Sequence, residues 1–400
     1  MKYTCLIITL LFCAGCSGPT RAGIEARSIA HLRMDAVNAD LAAQQARQQF
    51  EVGQFDKAIE TINAAIDRFD SYAPYHLLRA RILMEQHQLE SARRSLERTI
   101  ELDPEMAKPH YFLGVLYQRW SEDQAALESY IRAMQRDQSH TQYVMAVAET
   151  LVALDRFDDA IQTLQGSGRE FQHQPAISSL LGYIYLRKGD PENAVLQLSD
   201  SLLLGSNDLG TLGSLATAQF QSAMYADCLI TLAQLQDAGN GITPMFKRMK
   251  GKSLAVTGRL IQGRDICLEV TRTTPESAVA WVDLGYIAWE MGDYDRLQVC
   301  GEHVSQLDPS LPEGPLFKGI AALHAGNRVV ALQLLTQAQT DNNIEDLSTL
   351  LAAVSTQGVK TTQETPIGAN MMANSAEGST EQHGVRIPTA QVPFDSSHAP

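Results

Sequence analysis

His110-Tyr-Phe-Leu-Gly114-Val-Leu-Tyr117, followed by Ala126-Leu-Glu-Ser-Tyr130-Ile-Arg-Ala133, holds the pattern that decides the fold. Apolar residues recur every three or four positions in both stretches, which predicts two amphipathic helices in succession. Ala126 belongs to a series with Ala58, Ala92, Ala160 and Ala194, each 34 residues from the next. A partner small position returns at Gly182, Ala216, Gly251, Gly285 and Gly319, with one 35-residue step between Ala216 and Gly251. A fixed period of this size in helical sequence means stacked two-helix units, each burying its apolar face on its neighbours.

The units are predicted to begin near residues 39, 73, 107, 141, 175, 209, 244, 278 and 312. Turns inside them are marked by Gly53-Gln-Phe55, Gly189-Asp190, Gly258-Arg259, Gly292-Asp-Tyr294 and Gly326-Asn327, since glycine ends a helix by adopting the left-handed conformation at little cost. Leu102-Asp-Pro104, Thr274-Pro275 and Leu307-Asp-Pro309 close units, because proline stops one helix and opens the next. With Trp281, Leu284-Gly285, Gly292, Tyr294 and Pro309 in the same register, the chain resembles the tetratricopeptide-repeat (TPR) family over roughly residues 39–345. That resemblance implies an all-α solenoid, a right-handed superhelix of helix-turn-helix repeats built to hold other proteins.

The expected division is a signal peptide at 1–15, a lipidated lead-in with a helix at 16–38 and about nine repeats at 39–342. A capping helix at 343–358, carrying Ile344, Leu347, Leu351 and Val354 on one face, would cover the last apolar surface. Residues 359–400, rich in Thr, Gln, Ser, Gly, Asn and Pro without period, read as a disordered tail. Cys228 and Gly263 replace the usual alanine, and Gly205, Gly210, Gly213, Gly239 and Gly241 make residues 205–243 the expected soft point.

Composition narrows the function. Of 400 residues, 46 are acidic and 32 basic, a net charge of −14 that argues against nucleic acid, whose phosphates need clustered Lys and Arg. No HExxH, GxSxG or GxGxxG occurs, and Gly251-Lys-Ser253 lacks the earlier glycine of a P-loop, Phe246 standing there. His76 and His110 share a repeat position but read as packing or solvated residues. The expectation is therefore no enzyme, no cofactor and no metal. Cys228, Cys267 and Cys300 read as packing thiols, although Cys267 and Cys300 fall on adjacent second helices.

The first residues form a separate signal. Lys2 precedes the short apolar run Leu6–Phe12, too short to span a bilayer, and Ala14-Gly15-Cys16-Ser17 follows. This resembles the lipobox of bacterial lipoproteins, with Cys13 where the family usually has Leu. The resemblance implies lipidation and palmitate on Cys16, anchoring the chain at the periplasmic face, and Ser17 implies the outer membrane.

In TPR proteins the first helix of each repeat lines the concave groove. That resemblance places Arg47, Phe50, Arg81, Met84, Tyr111, Arg119, Met145, Tyr183, Arg187, Phe220, Arg248, Lys252, Tyr286 and Trp289 in a partner-binding groove. Tyr183, Phe220, Tyr286 and Trp289 have no packing duty evident from the repeat pattern. The five usual groove positions of nine repeats hold seven basic and six acidic residues, a net of +1. Without residues 1–15, which include Lys2, the chain has 31 basic and 46 acidic residues, a net of −15, so its acidity is expected on the outer wall. Aromatic, Met and Arg anchors suit a protein or extended peptide. The Lys and Asn pair of a carboxylate clamp is missing, with Leu77/Arg81 and Tyr111/Val115 at two of the relevant places. The expected function is a lipid-anchored scaffold of the bacterial envelope; the alternative is a glycan or polysaccharide-export protein stacking sugars on the aromatic groove.

Overall fold

The structure, a computed structural model, describes residues 21–341 apart from 167, 169–172, 207 and 239–241. The signal segment with Cys16, the 343–358 helix, the 359–400 tail, Gly239 and Gly241 lie outside the described residues. Among those described the chain is helical and without strands, and no helix is long and apolar enough to cross a membrane. It divides into two compact units, Met1–Phe171 and Gln172–Pro400.

The first unit contains α1 (Arg21–Glu51), α2 (Phe55–Arg68), α3 (Ala73–Glu85), α4 (Leu89–Leu102), α5 (Ala107–Arg119), α6 (Asp123–Arg136), α7 (Thr141–Ala153) and α8 (Phe157–Gly166). The second contains α9 (Pro175–Lys188), α10 (Pro191–Leu203), α11 (Leu209–Gln221), α12 (Tyr225–Asp237) and α13 (Pro244–Val256). It continues through α14 (Leu260–Thr273), α15 (Ala278–Glu290), α16 (Tyr294–Leu307), α17 (Glu313–His324) and α18 (Arg328–Asp341). Within each unit a helix packs mainly on those just before and after it, so the chain stacks as antiparallel pairs. A single helix, α1, carries the lead-in into the first repeat. Ile29, Leu32 and Leu41 are exposed along it, and burial begins at Ala39, where α2 first covers the helix.

The small residues mark where helices touch. A Cβ on Gly114 would stand 2.6 Å from Tyr130 Cδ1, and one on Gly319 would stand 2.9 Å from Leu335 Cδ2. Both contacts pair the first helix of a repeat with its own second helix. Gly263 has a different neighbour: a Cβ there would meet the Gly251 carbonyl oxygen at 2.6 Å and the Ala255 nitrogen at 3.0 Å. Alanine is absent from this site because α13 and α14 approach backbone to backbone. Gly213 likewise leaves room for the Phe246 ring, and Cys228 is fully buried with its thiol donating to the Ala216 carbonyl at 3.4 Å. These departures from the repeat pattern in the middle of the chain thus serve close packing.

The turn inside each repeat uses the left-handed conformation at the fifteenth residue. Glycine supplies it at Gly53, Gly189, Gly258, Gly292 and Gly326, whereas His87, Ser121, Asp155 and Ala223 adopt φ of 57°, 60°, 56° and 56°. Sequence reading found only the glycines. A Cβ in this conformation is strained by about 1–2 kcal/mol, with Asp the best tolerated of these four. Ala223→Gly is therefore expected to stabilise the second unit by about 1 kcal/mol, after part of the relief is lost to a freer unfolded chain. A higher denaturant midpoint in urea unfolding is the check.

Candidate partner-binding wall

First helices of neighbouring repeats approach one another more closely than second helices do, as α1 with α3 in the first unit and α13 with α15 in the second. Within each unit the first helices therefore form the inner wall. On that wall in the first unit, the Arg81 guanidinium lies 5.1 Å from the Phe50 ring centre and 5.8 Å from that of Phe112. This places the cation of one repeat over aromatic faces contributed by the repeats before and after it. Arg119 is exposed and donates from Nη1 to the Met84 carbonyl at 3.1 Å. Arg47 is exposed; Tyr111 and Met145 are half-buried; Phe50 and Met84 are buried.

Beyond Arg119 the wall becomes aromatic. The Tyr111 ring sits 5.3 Å from Tyr143 and 5.5 Å from Tyr130. Tyr130 donates its hydroxyl hydrogen to Gln118 Oε1 at 2.7 Å, and Gln118 Nε2 donates to Thr150 Oγ1 at 3.2 Å. Half-buried Glu149 occupies the same repeat position as Arg47 and Arg81. Sequence reading counted this acid without singling it out.

On the inner wall of the second unit, Tyr183 is half-buried and accepts a hydrogen bond at 3.3 Å from Nη1 of exposed Arg187. Three expected groove residues are buried there: Phe220, Lys252 and Tyr286. Phe220 packs edge-on against Tyr225 at 5.7 Å, and Phe50 packs at a tilt on Phe55, at the equivalent positions, at 5.8 Å. The twelfth residue of the repeat lies just before the turn, so the chain folds its second helix back onto it. Tyr286 meets Phe317 of the next repeat edge-on at 5.1 Å, and half-buried Trp289 packs on the same core cluster. The expectation that these three aromatics have no packing duty is corrected: they are core or core-edge residues. Of the four, Tyr183 is half-buried and hydrogen-bonded to Arg187.

Lys252 and Arg248 are also corrected as cations open to a partner. Asp283, 3% exposed, receives Arg248 Nη1 at Oδ2 (3.0 Å) and stands 4.0 Å from Lys252 Nζ through Oδ1. Burial lowers the Lys252 ammonium below the usual lysine range, opposed by the Asp283 charge. Glu313 lies near this cluster, and burial raises its carboxyl. Asp283 follows Arg248 by 35 residues, one repeat on, and that spacing was the available signal for it.

The histidines go separate ways. His76 Nε2 lies 2.8 Å from the Asp70 carbonyl oxygen and 3.2 Å from Asp70 Oδ1, while both ring nitrogens of His110 are buried without a hydrogen-bond partner. Among the described residues, no group of three His, Cys, Asp or Glu could hold a metal. Cys228, Cys267 and Cys300 are buried free thiols, and burial pushes the Cys300 thiol up to about 12.

Two of these groups make stability depend on pH in opposite directions. Burial raises the Glu149 carboxyl to about 7 from its ordinary 4.5. Between those values the folded chain holds a proton that the unfolded chain has released, so this contribution weakens folding as pH rises. Burial lowers His110 from 6.5 to about 4, helped by Arg136 and Arg132, so its contribution is lost as pH falls through that window. Glu149→Gln is expected to leave only the histidine-type dependence and to stabilise the first unit at pH 8 by at most about 2 kcal/mol. That is less than the full separation of the two values implies, because the half-buried carboxyl keeps part of its hydration. Melting curves of the two proteins from pH 4.5 to 8 test the crossing of these trends.

The tetratricopeptide-repeat family pattern matches residues 77–141, and helix pairs in the same register continue on both sides of that stretch. The chain is a tetratricopeptide-repeat array. Arrays of this type are protein-interaction scaffolds whose repeats present extended concave surfaces. No curated protein sequence matches this TPR chain. Among solved structures it is similar to PilF of Pseudomonas aeruginosa, at 20% identity over 55% of this chain and 98% of that one, with a TM-score of 0.45. It is also similar to MamA, at 19% identity over 42% of this chain and 91% of that one (TM-score 0.38). The TPR domain of P58(IPK) is 16% identical over 79% of this chain and 97% of its own, with a TM-score of 0.30. At these identities and scores the likenesses carry no function to this TPR chain.

Proposed function

We propose that the TPR array is a lipid-anchored scaffold of the bacterial envelope that holds an extended segment of a partner protein along its first-helix walls. The observation that supports this reading is the set of aromatic, Met and Arg side chains that keep accessible surface on those walls. Tyr111, Met145 and Tyr183 remain half-buried and Arg47, Arg119 and Arg187 exposed, while neighbouring wall positions are consumed by the core. Aromatic, Met and Arg side chains of this kind carry much of the binding energy at protein interfaces. Met145→Ala, Tyr183→Ala and Arg187→Ala together should cost about 1–2 kcal/mol of affinity per true anchor and leave the melting temperature nearly unchanged. Partner capture from envelope extracts by wild type and this variant measures it; unchanged capture by the folded variant rules the wall out.

The anchor rests on Ala14-Gly15-Cys16 and on the short apolar run before it. The several acyl chains of a mature lipoprotein hold a protein to a bilayer far better than one chain does. Cys16→Ala is expected to abolish labelling by radioactive fatty acid in cells, and undiminished labelling would contradict the anchor.

A further inference from the structure

We infer that the inner wall at α7 is a seat for an arginine side chain of the partner, with Glu149 as its counter-ion and Tyr111 as its aromatic flank. The inference rests on the binding function proposed above and names the chemistry that one part of the wall recognises.

Glu149 is the unusual feature of the first unit. Its carboxylate takes no hydrogen bond and no ion pair among the described residues, although the group is half-buried in an aromatic surround. Tyr111, on the same wall one repeat earlier, senses its charge: the Tyr111 hydroxyl is pushed up first by burial and then by Glu149. Gln118, on the same helix as Tyr111, is committed to Tyr130 and Thr150. Nothing described in the chain thus compensates the acid. A half-buried carboxylate without a partner is only partly hydrated, and an incoming cation offsets what burial costs it. A guanidinium can give two parallel hydrogen bonds to the carboxylate and lie against a tyrosine ring.

Arg47 and Arg81 occupy the Glu149 position in the first two repeats, each with an acid one turn further on, Glu51 and Glu85. Glu149 has no opposite charge on its own helix α7. A sugar fits this site less well. Tyr143 is already stacked on His140 at 4.2 Å, and Tyr111 is tilted against Tyr130, Tyr143 and Phe112. No parallel pair of aromatic faces is left there for a pyranose ring.

The probe is a fluorescent library of extended nonapeptides with arginine fixed at the centre, compared with the same library carrying citrulline, which keeps the shape and removes the charge. The full chain should retain the arginine library at least tenfold better than the citrulline library, and Glu149→Gln should abolish that preference while melting no lower than wild type. Glu149→Asp, which keeps the charge on a shorter arm, should preserve part of it. An equal preference in wild type and Glu149→Gln overturns the seat at Glu149. Binding of both libraries by wild type without discrimination overturns the arginine seat and leaves the peptide-binding function standing. Retention of neither library overturns both. An oligosaccharide array bound by wild type and lost in Glu149→Gln, with the peptide libraries undiscriminated, overturns the seat in favour of a glycan.

Discussion

Phe317→Ala is expected to destabilise the second unit by about 3–5 kcal/mol, and Gly285→Ala by about 1–3 kcal/mol. The two together should cost much less than their sum. Phe317 is fully buried in α17, and a Cβ on Gly285 of α15 would fall inside its ring, 2.6 Å from Cδ2. Once the ring is gone, the added methyl has space and alanine favours the helix over glycine by about 1 kcal/mol. The second substitution should then be neutral or stabilising in the Phe317→Ala background, a coupling far above that of independent sites. Trp281 and Trp289 pack on the same cluster, so their fluorescence during urea unfolding reports this unit. Additive losses would mean that glycine at this recurring position answers to something other than the ring.

The second large effect concerns charge inside the wall. Asp283→Ala leaves Arg248 half-buried and Lys252 buried with their shared carboxylate removed. Breaking a buried pair from one side costs about 3–5 kcal/mol, because the remaining charge stays out of water. Replacing the partners jointly, as Asp283→Leu with Lys252→Met, should recover most of the loss, since a buried ion pair is often worth little against apolar groups of similar size. Lys252 Nζ also lies 5.7 Å from the Phe220 ring, and methionine preserves an aromatic contact there. A double variant as unstable as Asp283→Ala would show that the charges hold the repeat geometry in a way that apolar packing cannot.

The sequence revealed the helical class and the repeat because both rest on local rules. Small residues recur wherever one helix crosses another, and glycines end first helices. The same rules failed where a residue's role depends on a particular neighbour on another helix, of its own repeat or of the next. Phe220 and Tyr286 look open in the register of a single repeat, but Tyr225 covers one and Phe317 the other. Arg248 and Lys252 read as groove cations until Asp283 is placed beside them. Gly263 read as a weakened repeat, whereas Gly251 and Ala255 leave no room there for a methyl. The turns at His87, Ser121 and Ala223 carried no signal, since these residue types seldom announce the left-handed conformation. Glu149 was hidden in a near-neutral tally of wall charges, which conceals that Glu51 and Glu85 share a helix with an arginine and Glu149 does not.

The claim that the first-helix walls are the working surface is tested most directly by site-specific photo-crosslinking in living cells. A benzophenone side chain is placed in turn at Met145 and Tyr183 on the inner walls, and at Leu196 and Ile230, which are exposed on the second helices α10 and α12. The account predicts discrete adducts to a shared partner from Met145 and Tyr183, and none from Leu196 or Ile230. Adducts confined to Leu196 and Ile230 would contradict it and move the interface to the outer wall.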